Sequence, residues 1–229
     1  MCKSDQIFAA TKLSKKEVAG KRVLEVGSYD VDGILRGLIE SWSPAQYIGV
    51  DIKEGPGVDL VCDAEELLDK FPAENFDVVF AVEVLEHVIN PKTVISNMKR
   101  LCKRNGIILL TTRSKGYPFH PSPYDFWRYE PSDMESFFSD CEIIDLEKDF
   151  DSPGVFVKVK KPDDFAENDL SKLELYNIAT NKQALEVTIG DLSMKLRMRL
   201  VMYQAVILAS STLRRAYTTF VATVFKFDM

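Results

Sequence analysis

The chain has 229 residues, enough for one generous domain with an appendage or for two small domains. Its 46% hydrophobic and 28% charged content is that of a water-soluble globular protein, and a net charge of −6 disfavours a general nucleic-acid binder, whose phosphate contacts need a basic surface. Cys2, Cys62, Cys102 and Cys141 form no C-x-x-C pair, which argues against zinc knuckles and dithiol motifs; no apolar run reaches signal-peptide or membrane-span length. Reduced thiols and a cytoplasmic location are the expectation.

From Arg22 onward short apolar strands alternate with amphipathic stretches, the pattern of a parallel sheet with helices on both faces. Strands are expected at Arg22–Val26, Tyr47–Asp51, Asp59–Cys62, Phe76–Val82 and Gly106–Thr112, with a helix over Pro91–Lys103 whose proline suits a first turn. Residues 113–130 hold three prolines and many aromatics without a period, so they read as a long loop of the kind that carries function. A helix over Pro131–Asp140 follows. Strands Glu142–Lys148 and Val155–Lys160, joined through Ser152-Pro-Gly154, form a closing antiparallel pair.

Four signals along this order bear on chemistry. Val23-Leu-Glu-Val-Gly27 runs straight into a loop, and a glycine there lets a ligand approach the backbone at the carboxyl ends of the strands. The loop is not G-x-G-x-x-G: Tyr29 stands where the second glycine belongs, and a pyrophosphate needs the close backbone contact that a glycine there allows. Asp51 ends the second strand, where a carboxylate can accept both ribose hydroxyls. Asp63-Ala64 can meet an adenine amine or cap the next helix, two roles that need not exclude each other. The fourth strand delivers Glu83, Glu86 and His87 to the same rim, where carboxylates complement a cationic ligand. His87 is either a base or a histidine held by loop carbonyls.

With these residues in this order, residues 20–160 resemble class I S-adenosylmethionine-dependent methyltransferases, most closely the small-substrate group with a Glu-x-Leu-Glu-His signature, here Glu83 to His87. The resemblance implies a Rossmann-like, doubly wound α/β fold: a mostly parallel seven-stranded sheet whose last strand is antiparallel. It implies S-adenosylmethionine as cofactor, with Glu25, Gly27, Ser28 and Tyr29 in the first motif. Asp51 and Ile52 fall at the ribose, Asp63 and Ala64 at the adenine, and Glu83 beside the methionine moiety. The loop with Gly116-Tyr-Pro-x-His120 and Asp125-Phe-Trp-Arg-Tyr129 is similar to one in a subgroup of these enzymes and falls where the acceptor pocket is built. There His120 is the first candidate base, oriented by Asp125, with Arg113, Tyr124, Trp127 and Arg128 toward substrate. The competing reading of this loop is self-packing around an Asp125–Arg128 salt bridge. No metal cluster is evident.

Lys161-Pro-Asp-Asp164 marks a boundary between a methyltransferase domain (1–161) and a helical C-terminal extension (162–229). Leu185, Ile189, Leu192, Leu196, Leu200, Tyr203 and Ile207 recur at helical spacing. Residues 184–229 carry six basic against three acidic side chains, so the tail is basic where the rest is acidic. Its stripe suits packing on the domain, a homodimer through paired helices, or peripheral contact with an anionic membrane. The function expected is methyl transfer to an oxygen, less so a nitrogen, of a small molecule or glycan. The alternatives are a non-catalytic S-adenosylmethionine-binding subunit acting through its tail and, disfavoured by the Ser28-Tyr29-Asp30 loop, a nicotinamide dehydrogenase.

Overall fold

The computed structural model describes residues 3–29, 34–122, 124–188 and 190. Its strands are β1 (Arg22–Val26), β2 (Gln46–Asp51), β3 (Leu60–Val61), β4 (Phe76–Val82), β5 (Cys102–Arg113), β6 (Trp127–Arg128), β7 (Glu142–Lys148), β8 (Gly154–Lys160), β9 (Leu175–Asn177) and β10 (Lys182–Ala184). The helices are α1 (Lys3–Lys12), α2 (Lys15–Val18), α3 (Ile34–Ser41), α4 (Leu67–Lys70), α5 (Pro91–Leu101) and α6 (Pro131–Phe137), with a 3₁₀ turn at Ala64–Glu66.

The main sheet has the order β3-β2-β1-β4-β5-β8-β7. Its neighbours from β3 to β5 pair in parallel, whereas β8 runs antiparallel to both β5 and β7. The expected mostly parallel seven-stranded sheet with one late antiparallel strand is therefore present. Burial on both faces explains the unbroken apolar runs. On β4, Val79 and Ala81 enter one core cluster while Val78, Phe80 and Val82 enter the other. Ile108 and Leu110 of β5 alternate with Ile107 and Leu109 in the same way. The strand order reverses between β1 and β4, and the carboxyl ends there form the crevice in which open α/β sheets bind ligands.

Helix α5 starts at Pro91, whose missing N–H is spared at a first turn, and Asn90 caps it by accepting from Thr93 N at 3.2 Å. Val94, Ile95, Met98 and Leu101 are buried, the spacing of one helical face against the sheet. Helix α1, absent from the sequence reading, covers the opposite face, with the Phe8 and Phe156 rings 4.9 Å apart. No helix among the described residues is long and apolar enough to cross a membrane.

The described part of the segment expected to be a helical extension departs from that expectation, and residues 191–229 lie outside the described residues. Residues 162–188 contain no helix; β9 and β10 join β6 in a second, three-stranded antiparallel sheet. Leu170, Leu175 and Val187 belong to the main core, and Asn168 accepts from the buried Lys99 ammonium at 2.8 Å. Strands of two or three residues carry too little alternation to be read from sequence. The rest of the apolar stripe, apart from Leu185, lies outside the described residues. Removing three buried aliphatic side chains costs roughly 4–9 kcal/mol, comparable to the whole stability of a domain. A chain truncated after Lys161 is therefore expected to lose its cooperative thermal transition in circular dichroism. A truncated protein melting within a few degrees of the full chain would restore the boundary at 161.

Candidate active site

The carboxyl ends of β1, β2 and β4 open onto a cavity of about 410 Å³, a size typical of small-molecule sites, roughly 300–1,000 Å³. Gly27 forms its floor at φ +78°, a left-handed conformation that suits glycine, and a Cβ there would lie 2.2 Å from Val84 Cγ2. Its N–H and that of Ser28 both donate to Val50 O, at 2.8 and 3.0 Å.

Asp51 reaches the cavity from the end of β2. One oxygen accepts from Tyr29 N at 3.1 Å and the other from Lys53 N at 3.0 Å. These bonds fix the carboxylate and leave it lone pairs for a diol. Tyr29, in place of a second glycine, lies against the wall: a Cβ on Gly55 would meet its ring at 2.3 Å. Ile52, Asp63 and Ala64 also line the cavity. Asp63 combines the two roles expected of it, accepting from Glu65 N at 2.9 Å as an N-cap.

Two expected cofactor residues do not line it. The Ser28 side chain is buried beneath the loop, packed against Gly49. Glu25 is buried in β1 and accepts from Tyr47 OH at 2.5 Å; burial and that carboxylate push the Tyr47 phenol up. Both positions support the shape of the loop instead.

Glu83 follows β4 with φ 58°, uncommon for a residue with a Cβ, and its N–H is bonded to Thr111 O at 3.1 Å. Its carboxylate pairs with Arg113 Nε, while Oε1 is buried with no partner among the described residues. Arg113 also holds Asp5 of α1 at 2.6 Å and Asp149 of the β7–β8 turn at 3.2 Å, with the Tyr117 ring 4.2 Å from its guanidinium. Arg113 borders the cavity as expected, but its charge is engaged by protein carboxylates rather than free for an acceptor.

His87 and His120 stand at the other end, their rings 4.9 Å apart. His87 Nδ1 lies 2.6 Å from Tyr124 O. A carbonyl only accepts, so Nδ1 carries the proton and Nε2 of the neutral ring keeps its lone pair. Burial pushes the His87 imidazole down. His120 lies between buried carboxylates, with Asp125 Oδ2 3.2 Å from Nδ1 and Glu86 Oε1 3.6 Å from Nε2. Against the cost of burial, these two carboxylates raise it to about 9. Glu86 and Asp125 are each lowered to about 2, burial being outweighed by the histidines for Glu86 and by Arg128 and His120 for Asp125. This setting favours the imidazolium form of His120 over the neutral base expected from the sequence. Glu86, His87 and His120 bring ligand atoms within 4.8 Å of one another. A divalent cation in that corner would compete with the proton on His120 Nε2.

Among the expected acceptor residues, Tyr124 lines the cavity and stacks on Phe126, centroids 5.3 Å apart. Asp125, Trp127 and Arg128 do not line it. Arg128 donates to both Asp125 oxygens, at 2.6 and 2.9 Å, and to the carbonyls of Tyr117, Pro118 and Trp127. Trp127 Nε1 donates to Val88 O at 3.0 Å. Being buried and so engaged, they build the loop; the self-packed alternative holds for these three. Sequence reading missed Tyr117, Val88 and Ile89 as lining residues and Asp5 as a partner of Arg113. Only Tyr117 carried a signal, its place among the loop aromatics.

This geometry agrees with what similar proteins reveal. Residues 7–151 match the methyltransferase domain family. The chain belongs to that family. Its sheet is that of the class I methyltransferase fold, and the left-handed Gly27, the fixed Asp51 carboxylate and the orphaned Glu83 oxygen fit the expected cofactor, S-adenosylmethionine. The ubiquinone biosynthesis O-methyltransferase of Dechloromonas aromatica is 35% identical over 123 residues, 48% of this chain and 50% of that protein. Its Pseudomonas entomophila counterpart is 36% identical over 109 residues, 42% and 45% of the two chains. The chain thus spans about half the length of the curated relatives it matches. In fold it is similar to the 1,6-didemethyltoxoflavin-N1-methyltransferase of Burkholderia thailandensis, with a TM-score of 0.56 and 13% identity over 69% of this chain and 79% of that one.

Two outcomes follow for this site. Asp51→Ala should weaken S-adenosylmethionine binding by about 1.5–3 kcal/mol in calorimetry, the worth of a hydrogen-bonded charged group; unchanged affinity would take Asp51 out of the site. Because the folded protein holds the His120 proton more tightly than the unfolded chain, that stabilisation is complete below about pH 6.5 and lost as pH rises through about 9. Urea unfolding should show this decline, and His120→Asn should flatten it.

Proposed function

We propose that this chain transfers a methyl group to an oxygen of a small molecule or glycan, with His87 as the base that takes the hydroxyl proton. The observation that carries this reading is the His87 ring at the cavity wall, its Nδ1 proton committed to Tyr124 O so that Nε2 is its basic nitrogen. Bound S-adenosylmethionine supplies an electrophilic methyl group; displacement then depends on holding the acceptor oxygen in near-attack geometry. The lone pair on His87 Nε2 receives the proton as the acceptor oxygen forms its new bond. The His120 imidazolium, clamped by Asp125 and Glu86, offers a fixed positive charge to the same oxygen as negative charge develops on it. Arg113 and its carboxylates hold the methionine end of the cavity, and Asp51 the ribose.

Support for oxygen over nitrogen comes from the relatives, which are named O-methyltransferases. A free amine would gain less from a base, since its lone pair attacks without prior loss of a proton. The second reading, a non-catalytic subunit that binds the cofactor, has no base requirement and leaves the opposed environments of the two histidines without a use.

The test is release of S-adenosylhomocysteine with a panel of phenols, sugar hydroxyls and amines. With an accepted hydroxyl substrate, His87→Asn should lower kcat about 10²–10⁴-fold, the usual worth of a positioned base, and leave cofactor affinity within twofold. The wild-type kcat should fall on the acid side as His87 becomes protonated, a limb that the variant lacks. Cofactor binding with no turnover on any class would favour the second reading, and turnover of amines alone would remove the oxygen assignment.

A further inference from the structure

Three carboxylates from separate parts of the chain meet the Arg113 guanidinium. Asp5 from α1, Asp149 from the β7–β8 turn and Glu83 from the end of β4 meet it, and Arg113, Asp5 and Asp149 are at most 1% exposed at their side chains. Asp149 is well satisfied as an anion: Oδ2 accepts from Arg113, Ser4 Oγ and Ser152 Oγ, and Oδ1 from Asp151 N. Asp5 has the Arg113 Nη2 donor at 2.6 Å. Glu83 is different. One oxygen meets Arg113 Nε, but Oε1 is buried in the cavity wall with no partner among the described residues.

Among the described residues, the other ionisable groups near Glu83 bring its free oxygen no donor. Glu86 adds a further buried carboxylate, and the positive charge that faces it belongs to His120, which also answers Asp125. Burial pushes the His87 imidazole down, toward its neutral form. An anionic oxygen buried without a donor is costly, and the least costly remedy is a proton. Burial, with the charges of Glu86 and Asp5, pushes the Glu83 carboxyl well above the carboxylate range despite Arg113. The left-handed backbone at Glu83, anchored to Thr111 O, holds the group in the wall.

We propose that Glu83 carries a proton in the ligand-free protein and releases it when a positively charged cofactor binds, so that the site separates S-adenosylmethionine from its neutral product by charge. The sulfonium of S-adenosylmethionine brings a positive charge to the cavity wall that holds the orphaned Glu83 oxygen, and Glu83 then remains as the carboxylate. S-adenosylhomocysteine has the same amine and carboxylate but a neutral thioether, so the proton stays and the product is held less firmly. The inference rests on the cofactor assignment and is independent of the acceptor and of His87.

Isothermal calorimetry on the full chain at pH 7, in buffers of different ionisation enthalpy, counts the protons exchanged. S-adenosylmethionine and sinefungin, an analogue with an ammonium in place of the sulfonium, should each release about one proton more than S-adenosylhomocysteine. Their affinities should rise with pH by up to tenfold per unit more than that of S-adenosylhomocysteine, because the bound form holds fewer protons. Glu83→Gln, checked for folding by its thermal transition, should abolish both differences. Equal proton counts for all three ligands on the wild-type protein would overturn the proposal, a result that needs no variant. A difference that persists in a folded Glu83→Gln protein would overturn it too, by placing the proton elsewhere. Absence of binding by all three ligands would remove the cofactor assignment along with it.

Discussion

The guanidinium of Arg113 sits at the end of β5 where three otherwise separate parts of the chain converge. Asp5 brings the N-terminal helix, Glu83 the loop after β4, and Asp149 the turn between β7 and β8. Arginine suits such a position because its planar fork can serve several carboxylates at once and does not lose its charge on burial. Breaking a buried pair by removing one partner typically costs about 3–5 kcal/mol, since a charge is left without an answer. Here the loss would be felt at three carboxylates. The backbone of β5 is set by its pairing with β4 and β8, so the sheet register delivers Arg113 to this point. The cofactor end of the cavity therefore depends on long-range contacts that local sequence does not express.

A second guanidinium, Arg128, does comparable work for the other end. It closes the loop from 113 to 130 on itself through Asp125 and three backbone carbonyls. Asp125 in turn accepts from the backbone N–H of His120 at 2.7 Å and faces its ring. A long proline-rich segment thus acquires a fixed shape from one buried ion pair, and with it a fixed place for one imidazole. The loop is held further by β6, which pairs with β9. The segment after residue 161 consequently supports the acceptor side of the cavity, although none of its described residues borders it.

The sheet was legible in the sequence because burial on both faces demands near-continuous apolar runs, and β1 and β4 could be bounded to the residue. Gly27, Asp51 and Asp63 were legible for a related reason: each ends or directly follows a strand, and strand ends in an open α/β sheet define the ligand crevice. Asp5, by contrast, sits in a weakly amphipathic N-terminal stretch, and its role exists only through a residue 108 positions away. The three-residue strands β9 and β10 were hidden by their length. In the loop, residue types suited to substrate contact are equally suited to building a buried network. Composition could not say which of Tyr124, Asp125, Trp127 and Arg128 would face outward; only Tyr124 does.

The two histidines sharpen the same point about environment. They differ by nothing in chemistry, yet burial pushes His87 toward the neutral form, against Glu86 and the Tyr124 carbonyl, while Asp125 and Glu86 raise His120 toward the charged one. Titratable groups whose surroundings drive them apart are the usual source of paired acid and base roles. The separation rests on Glu86, which faces both rings from a fully buried position and is itself anchored by Thr112 Oγ1 at 2.8 Å. Removing that carboxylate would leave His120 with Asp125 alone and lower its hold on the proton. It would also withdraw from His87 a charge that favours its protonation. Both imidazoles would then move toward neutrality, and the arrangement of one base beside one fixed cation would collapse into two weak bases.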